Sequence, residues 1–348
     1  MMKRRIYTLC ILGLCLLGYV RWHHRSQEAG SPADGTYQKL QGSVFHTFYH
    51  ISYQGDIDYR TAIDSLFKAF DGSLSMFNDT SIISRMNRND ASVIANDYFR
   101  NVFNKACYVS DRTHGAFDIT VAPLVNLWGF GFKNSDKVTP QAVDSILQFV
   151  GYQGVTLDET GHLHKKDART ILDASSIAKG YMSDIVGDFL YANGVQNYMV
   201  EIGGEIALRG VNPSGRPWTV GIARPVADSL QQDHGYQAYL SLSAGGLATS
   251  GNYRNFYEKG GKRYAHTIDP KTGYPIQRDV LSATVIAPDC MTADAFATAF
   301  MVLGKDSALR VMEREPNVEG YLIIPSASDS TQLEVVYSAG FEQYLKTE

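Results

Sequence analysis

The sequence predicts a mixed α+β protein, and three observations carry that reading. Apolar residues recur at helical spacing in several segments. Short apolar or alternating runs bounded by glycine, proline and asparagine lie between them and read as strands and turns. The two kinds of segment interleave along all 348 residues without an internal repeat or a low-complexity tract. That length suffices for one large domain or two moderate ones.

The N-terminus reads as a targeting segment. Lys3, Arg4 and Arg5 precede an apolar run from Ile6 to Val20, and Arg21 and Arg25 follow it. Residues 1–25 therefore suit a secretory signal or a short membrane anchor. An uncleaved anchor ranks first, cleavage second and lipidation at Cys15 third, because Leu14 stands where a lipoprotein signal carries a small residue. Each alternative exports the body of the protein, to the periplasmic side of the inner membrane. Residues 26–41 read as a linker and 42–348 as the globular part.

Bulk charge excludes one class of partner. The formal net charge is −4, and five of the 32 basic residues lie in the leader. The remaining 27 basic residues face 36 acidic ones, which leaves the body at −9. A nucleic-acid binder would carry a basic face. Cysteine usage points to neither a disulfide framework nor a zinc site. Cys10 and Cys15 belong to the leader, and Cys107 and Cys290 read as small buried side chains beside helices.

In chain order, residues 42–53 alternate enough for a strand. Ala62, Ile63, Leu66, Phe67 and Phe70 then mark a helix, 75–87 a loop with a short helical turn, and Tyr98–Val109 a second amphipathic helix. Residues 113–131, THGAFDITVAPLVNLWGFG, are apolar but not periodic. A loop of that kind is covered by packing or by a ligand. Thr139-Pro140 opens a helix that Gly151 closes. Two short strands with turns at Gly154 and Gly161 lead to Ile171. Residues 171–190 read as a strand running into a helix, capped by Ser175 or Ser176 and stopped by Asn193-Gly194. Lys179 falls in the first turn, where the helix dipole disfavours a cation, so it is either solvated or serves a ligand. Two strands flank Gly203-Gly204, a strand ends at Pro225, and 226–236 form a surface loop. A strand through Leu242 leads to a glycine and hydroxyl cluster at 245–256. After Gly304 come one helix and two strands.

Residues 264–298 are the most concentrated in chemistry. His266-Thr-Ile-Asp-Pro-Lys-Thr-Gly273 sets a potential base, a carboxylate, a cation and a hydroxyl on a tight turn. A strand from Val280 to Ala287 and a helix capped by Thr292 follow. Asp294 and Thr298, one turn apart on that helix, offer hard oxygen atoms to a cation such as magnesium. The same spacing also suits N-terminal charge on a solvated face. No GxGxxG, Walker A loop or serine elbow is present, and local evidence alone names no reaction.

Together the segments resemble the ApbE family of FAD:protein FMN transferases. The resemblance rests on GAFDITVAPLVNLWGFG, the Asp173–Tyr181 segment ending in AKGY, EIGGEIALRG, ATSGNY, HTIDPKTGYP and ADAFAT, in that order. The family usually has Met-Gly-Thr where this chain has Phe45-His46-Thr47. The resemblance implies a two-lobed fold with a flavin cleft between lobes, FAD as donor and a magnesium ion. It implies FMN esterified to a Thr or Ser of a target protein, with AMP leaving. It further implies acceptors among flavin-carrying proteins of membrane redox complexes. Carried over by residue, it places Phe45, Phe77, Ala116, Phe117, Asp118, Asp173, Lys179 and Ile268 at the FAD. Ser176, Asp294 and Thr298 fall at the metal, the serine through its carbonyl oxygen. His266 becomes the candidate base, because an imidazole titrates near neutrality, and the alternative is a structural histidine holding the Asp269–Thr272 turn. Two other readings stay open: an FAD pyrophosphatase giving FMN and AMP, and a non-catalytic FAD-binding protein.

Overall fold

The computed structural model describes residues 35–130, 138–225, 235–252, 256–259, 262–329 and 332–346, and all their side chains except those of 256–259 and 262–265. The leader, most of the expected linker, the bulk of the 226–236 loop and Gly131 lie outside the described residues. Among the described residues, no helix is long and apolar enough to cross a membrane.

An eight-stranded sheet organises the chain, and every adjacent pair in it is antiparallel. It begins with a hairpin of β1 (Tyr37–Val44) and β2 (Thr47–Gln54). The expected single strand over 42–53 is thus parts of two. The reason is local: Phe45 and His46 both adopt left-handed backbone angles, φ 51° and 59°, and reverse the chain in two residues. Such turns usually hold Asn-Gly, and a left-handed L-residue costs roughly 1–2 kcal/mol. Tyr37–Gln41, expected in the linker, are paired in the sheet.

The sheet continues through β5 (Tyr198–Ile202), β6 (Glu205–Arg209), β9 (Ala244–Gly251), β12 (Ser282–Ala287), β13 (Glu319–Pro325) and β14 (Leu333–Tyr337). The first part of the glycine and hydroxyl cluster at 245–256 is thus a central strand of this sheet. Among the described residues, three ribbons lie outside this sheet: β3 (Val155–Leu157) with β4 (Leu163–Lys165), β7 (Trp218–Ala223) with β8 (Tyr236–Leu242), and β10 (Phe256–Lys259) with β11 (Lys262–Ala265).

Alternation along the strands divides the core. On β13, Leu322 and Ile324 join the larger cluster while Tyr321 and Ile323 join the smaller. A strand presents successive side chains to opposite faces, so one sheet supports two cores. The smaller core packs β7 and β8 against the sheet through Trp218, Val220, Ile222, Leu240 and Leu242. The larger lies under five helices: α1 (Arg60–Leu74), α2 (Ile82–Asn87), α3 (Asp97–Arg112), α6 (Ala178–Ala192) and α7 (Cys290–Leu303). α8 (Lys305–Met312) adds Ala308, Val311 and Met312.

A second lobe is built on α4 (Ala122–Leu127) and α5 (Pro140–Leu147), with Leu124, Trp128, Val143 and Ile268 at its centre. Thr139 caps α5 and Pro140 occupies its first turn, as expected.

α7 is buried almost all round, from Cys290 to Val302 with Thr298 the exception. Ala293, Ala295, Ala297 and Ala299 keep the helix thin enough to pass between the sheet and α6, and a helix apolar on every side belongs in a core.

Candidate active site

The site is assembled where α6 meets α7. Gly180, in the first turn of α6, donates its backbone N–H to Asp294 Oδ2 at 3.0 Å. A side chain at Gly180 would overlap the Cys290 carbonyl oxygen and meet Asp294 Cβ at 2.8 Å. Only glycine lets the two helices approach this closely. In return, Asp184 of α6 accepts from Cys290 N and Met291 N, both at 2.8 Å, and so satisfies the first two N–H groups of α7. Each helix therefore caps the other.

Two expected caps are corrected by this geometry. The N-cap of α7 is Asp289, not Thr292. Its Oδ1 accepts from Thr292 N at 2.7 Å and from Thr292 Oγ1 at 2.6 Å, and Lys105 closes the group at 3.1 Å from Asp289 Oδ2. α6 has no side-chain cap of its own, since Ser175 Oγ donates back to Asp173. Nor does a strand precede α6. Leu172 exchanges both backbone hydrogen bonds with the Asn87 side chain, and Asp173 N donates to Ile119 O at 2.6 Å. Those groups are satisfied without a neighbouring strand.

Asp294 is 3 % exposed, which rules out the solvated-face alternative. Lys179 lies beside it and reaches Glu205 Oε1 at 2.6 Å. Glu205 is buried, and among the described residues its Oε2 has no hydrogen-bond partner. Burial opposes the Lys179 ammonium, but the Asp294 and Glu205 carboxylates outweigh it and hold the pKa above the lysine range. Burial pushes the Glu205 carboxyl up to about 7 against the pull of Lys179, and raises Asp294 likewise. Two buried acids against one ammonium leave a local demand for positive charge.

The other two expected metal donors lie on β9's side of α7 and in the turn before α6. Thr298 Oγ1 lies 3.2 Å from Ser250 Oγ of β9, and Ser176 is half-buried in the turn before α6. Among the described residues, no group of three or more His, Cys, Asp or Glu is arranged to hold a metal. The candidate set is instead one carboxylate, one hydroxyl and one carbonyl, all hard oxygens of the kind magnesium takes alongside water and phosphate.

The expected flavin residues fall on two flanks. On the first, the Phe45 ring packs on Phe70 at 5.5 Å and Phe67 at 6.0 Å, while Phe77 is 68 % exposed. On the second, Ala116, Phe117 and Asp118 are buried. Asp118 accepts from Thr120 N and Oγ1 through one oxygen and from Tyr152 N through the other, so it fixes its own loop. Burial raises its pKa in spite of those bonds. Asp173 accepts from Ser175 N at 2.8 Å.

Ile268 is buried in the second lobe and bridges to Pro275. Between them Asp269 accepts from Lys271 N at 2.9 Å, and its backbone pairs with Tyr274 and Gly273. Trp128 Nε1 donates to Gly273 O at 2.8 Å and ties this turn to α4. Half-buried His266 precedes the turn, its ring 6.5 Å from that of Phe130. The structure thus brings Lys179 and Asp294 together at the helix crossing and sets His266 on the second lobe.

Sequence reasoning missed Glu205, Gly180, Asp184 and Asp289. An acid inside the apolar strand EIALR was a usable signal for Glu205, whereas Asp184 resembles any surface acid on a helix.

The sequence profile of the ApbE family matches residues 45–322, a span holding every one of these groups. The chain belongs to the ApbE family. It is 40 % identical over 300 residues to the FAD:protein FMN transferase of Haemophilus influenzae, covering 82 % of this chain and 86 % of that one. The enzyme of the same name from Vibrio cholerae is 38 % identical over 284 residues, covering 79 % and 84 %. Among solved structures, the flavin transferase ApbE from Vibrio cholerae superposes with a TM-score of 0.80 at 34 % identity, covering 89 % of this chain and all of that one. The ApbE protein of Thermotoga maritima gives 0.78 at 27 % identity, covering 90 % and 100 %. The mixed α+β architecture expected from the sequence is that of these ApbE structures.

Proposed function

We propose that this protein is a magnesium-dependent FAD:protein FMN transferase that links FMN through its phosphate to a Thr or Ser of an acceptor protein and releases AMP. The observation that carries the reading is the buried Asp294, held by Gly180 beside the Lys179–Glu205 pair. Such a cluster suits a diphosphate and a divalent cation better than any neutral ligand. Ser176, Asp294 and Thr298 would hold the ion, which when bound neutralises charge on the diphosphate. Lys179 compensates further charge from the α6 side.

In the reaction the acceptor hydroxyl oxygen forms a bond to the FMN phosphorus, and the bond from that phosphorus to the bridging oxygen breaks. AMP leaves with that oxygen. His266 takes the hydroxyl proton. Asp269 keeps the turn after His266 in shape and holds no proton in the reaction. The basic and apolar leader supports a site outside the cytoplasm on the inner membrane, and a site there would lie within reach of flavin-carrying proteins of membrane redox complexes.

Incubation with FAD, Mg2+ and a candidate acceptor tests the whole reading. The acceptor should gain the mass of an FMN phosphoester with AMP in equal amount. Release of free FMN with no modified acceptor rejects transfer. His266→Ala should slow transfer about 100-fold or more while FAD affinity changes little, since a general base contributes on that scale. Equal losses in rate and affinity would make His266 a binding residue.

A further inference from the structure

The hairpin turn between β1 and β2 carries two successive non-glycine residues in the left-handed region, Phe45 and His46. Strain of this kind persists only where the surroundings enforce it, and it concentrates at ligand sites. Phe45 has an evident reward, because its ring is packed against Phe67 and Phe70. His46 is exposed, so burial offers it none. What His46 does touch is the Phe77 ring, edge-on, with centroids 4.8 Å apart and planes at 61°. Phe77 is a large aromatic left 68 % exposed.

The turn also borders the polar cluster. Thr47, the next residue, faces Gly203: a side chain at Gly203 would meet Thr47 Cγ2 at 3.1 Å and Lys179 Cδ at 3.0 Å. A side chain there would also meet Glu205 Oε2 at 3.2 Å, and Gly203 has a left-handed φ of 69°. The His46–Phe77 pair is therefore connected through two residues to the ammonium that faces the diphosphate in the reading above.

We propose that His46 is a positioning residue for the isoalloxazine of FAD: its imidazole holds the exposed Phe77 ring upright so that the flavin can lie against it. A ring whose orientation is fixed beforehand loses less freedom when a ligand stacks on it, so it binds more tightly. Edge-on aromatic contacts are worth about two- to tenfold in an equilibrium constant. The backbone strain is then retained for ligand binding rather than for the fold.

This inference rests on FAD being the substrate, and the experiment separates the two. FAD affinity is measured by equilibrium titration without acceptor for wild type, His46→Gly, His46→Asn and His46→Tyr, together with thermal melting and kcat at saturating FAD. Glycine relaxes the turn, asparagine tolerates the left-handed backbone without offering a ring, and tyrosine restores an aromatic edge. The expected result is a three- to tenfold weaker Kd in the glycine and asparagine variants, with kcat within twofold of wild type. The glycine variant should melt no lower than wild type, and tyrosine should recover most of the affinity. A wild-type protein that fails to bind FAD overturns the substrate reading. A wild type that binds FAD with glycine and asparagine variants of equal affinity overturns the role of His46 alone. Loss of affinity that tracks a fall in melting temperature, without rescue by tyrosine, also overturns it, because the residue would then be structural.

Discussion

The N-termini of α6 and α7 lie against each other, yet they are finished in opposite ways. α7 has three N–H groups satisfied by carboxylates, two by Asp184 and one by Asp289, with Lys105 neutralising the outer acid. α6 has no side-chain cap: the Ala174 carbonyl accepts from Ala178 N, Asp294 holds a second N–H from across the crossing, and a lysine stands in the first turn. The first is a completed piece of architecture. The second is answered by acids from distant parts of the chain, Asp294 on its N–H and Glu205 on its lysine, and the first of these is the candidate metal carboxylate. The lesson is that a helix start becomes available for a ligand when the cap is supplied by a group with a second task.

Substitutions at the crossing test this contrast. The largest effect on stability is expected for Lys179→Met. It strands buried Glu205 without its ion-pair partner, which costs about 3 kcal/mol, the lower part of the usual range because Lys179 is partly exposed. Chemical denaturation measures it, and Lys179→Met combined with Glu205→Gln should recover much of the loss. A double variant no more stable than the single one would mean that the pair is not the source.

Asp294→Ala should reduce Mg2+-dependent turnover by about 100-fold or more while the protein remains folded. Direct Mn2+ titration followed by electron paramagnetic resonance should show the ion lost as well. Unchanged turnover and unchanged Mn2+ binding would make both helix ends merely structural.

Gly180→Ala forces a methyl group into the Cys290 carbonyl. A loss of about 1–3 kcal/mol follows from overpacking, with activity reduced because Asp294 is displaced. A variant as stable as wild type would show that the helices can separate freely.

The smallest effect concerns pH. Burial, aided by Asp289 and Asp188, pushes the Asp184 carboxyl up to about 8, against the two N–H donors of α7. A carboxyl whose folded pKa exceeds its unfolded value of about 4 binds more protons when folded. Its contribution therefore favours the folded state at low pH and declines as pH rises from about 4 to 8. Glu205, raised to about 7, acts in the same direction. Asp184→Asn should flatten the fall of stability between pH 5 and pH 8, read from denaturation midpoints at the two pH values. An unchanged slope would show that Asp184 stays ionised throughout.

Much of the fold was legible from local pattern. The spacing of Ile63, Phe67 and Phe70 marked α1, Thr139-Pro140 marked the start of α5, and Gly203-Gly204 marked the β5–β6 turn. These signals act within a few residues, so a linear string records them. Expectations failed where a distant group satisfied the backbone. Asn87 paired with Leu172 and removed a strand, while nothing in composition announced that Phe45-His46 would turn the chain.

Among the site residues, Asp294 and Lys179 stood out in the sequence, one by its spacing to Thr298 and the other by its unfavourable place in a helix dipole. What the sequence by itself determined was the order of elements, the apolar faces and the family to which the motifs belong. Only the tertiary structure decided that Glu205 holds Lys179, that Gly180 touches Asp294 and that Asp184 closes α7. Those pairings join residues 26, 114 and 106 positions apart. They arise because burial leaves each polar group no solvent, so it must find its partner wherever the packing brings one near.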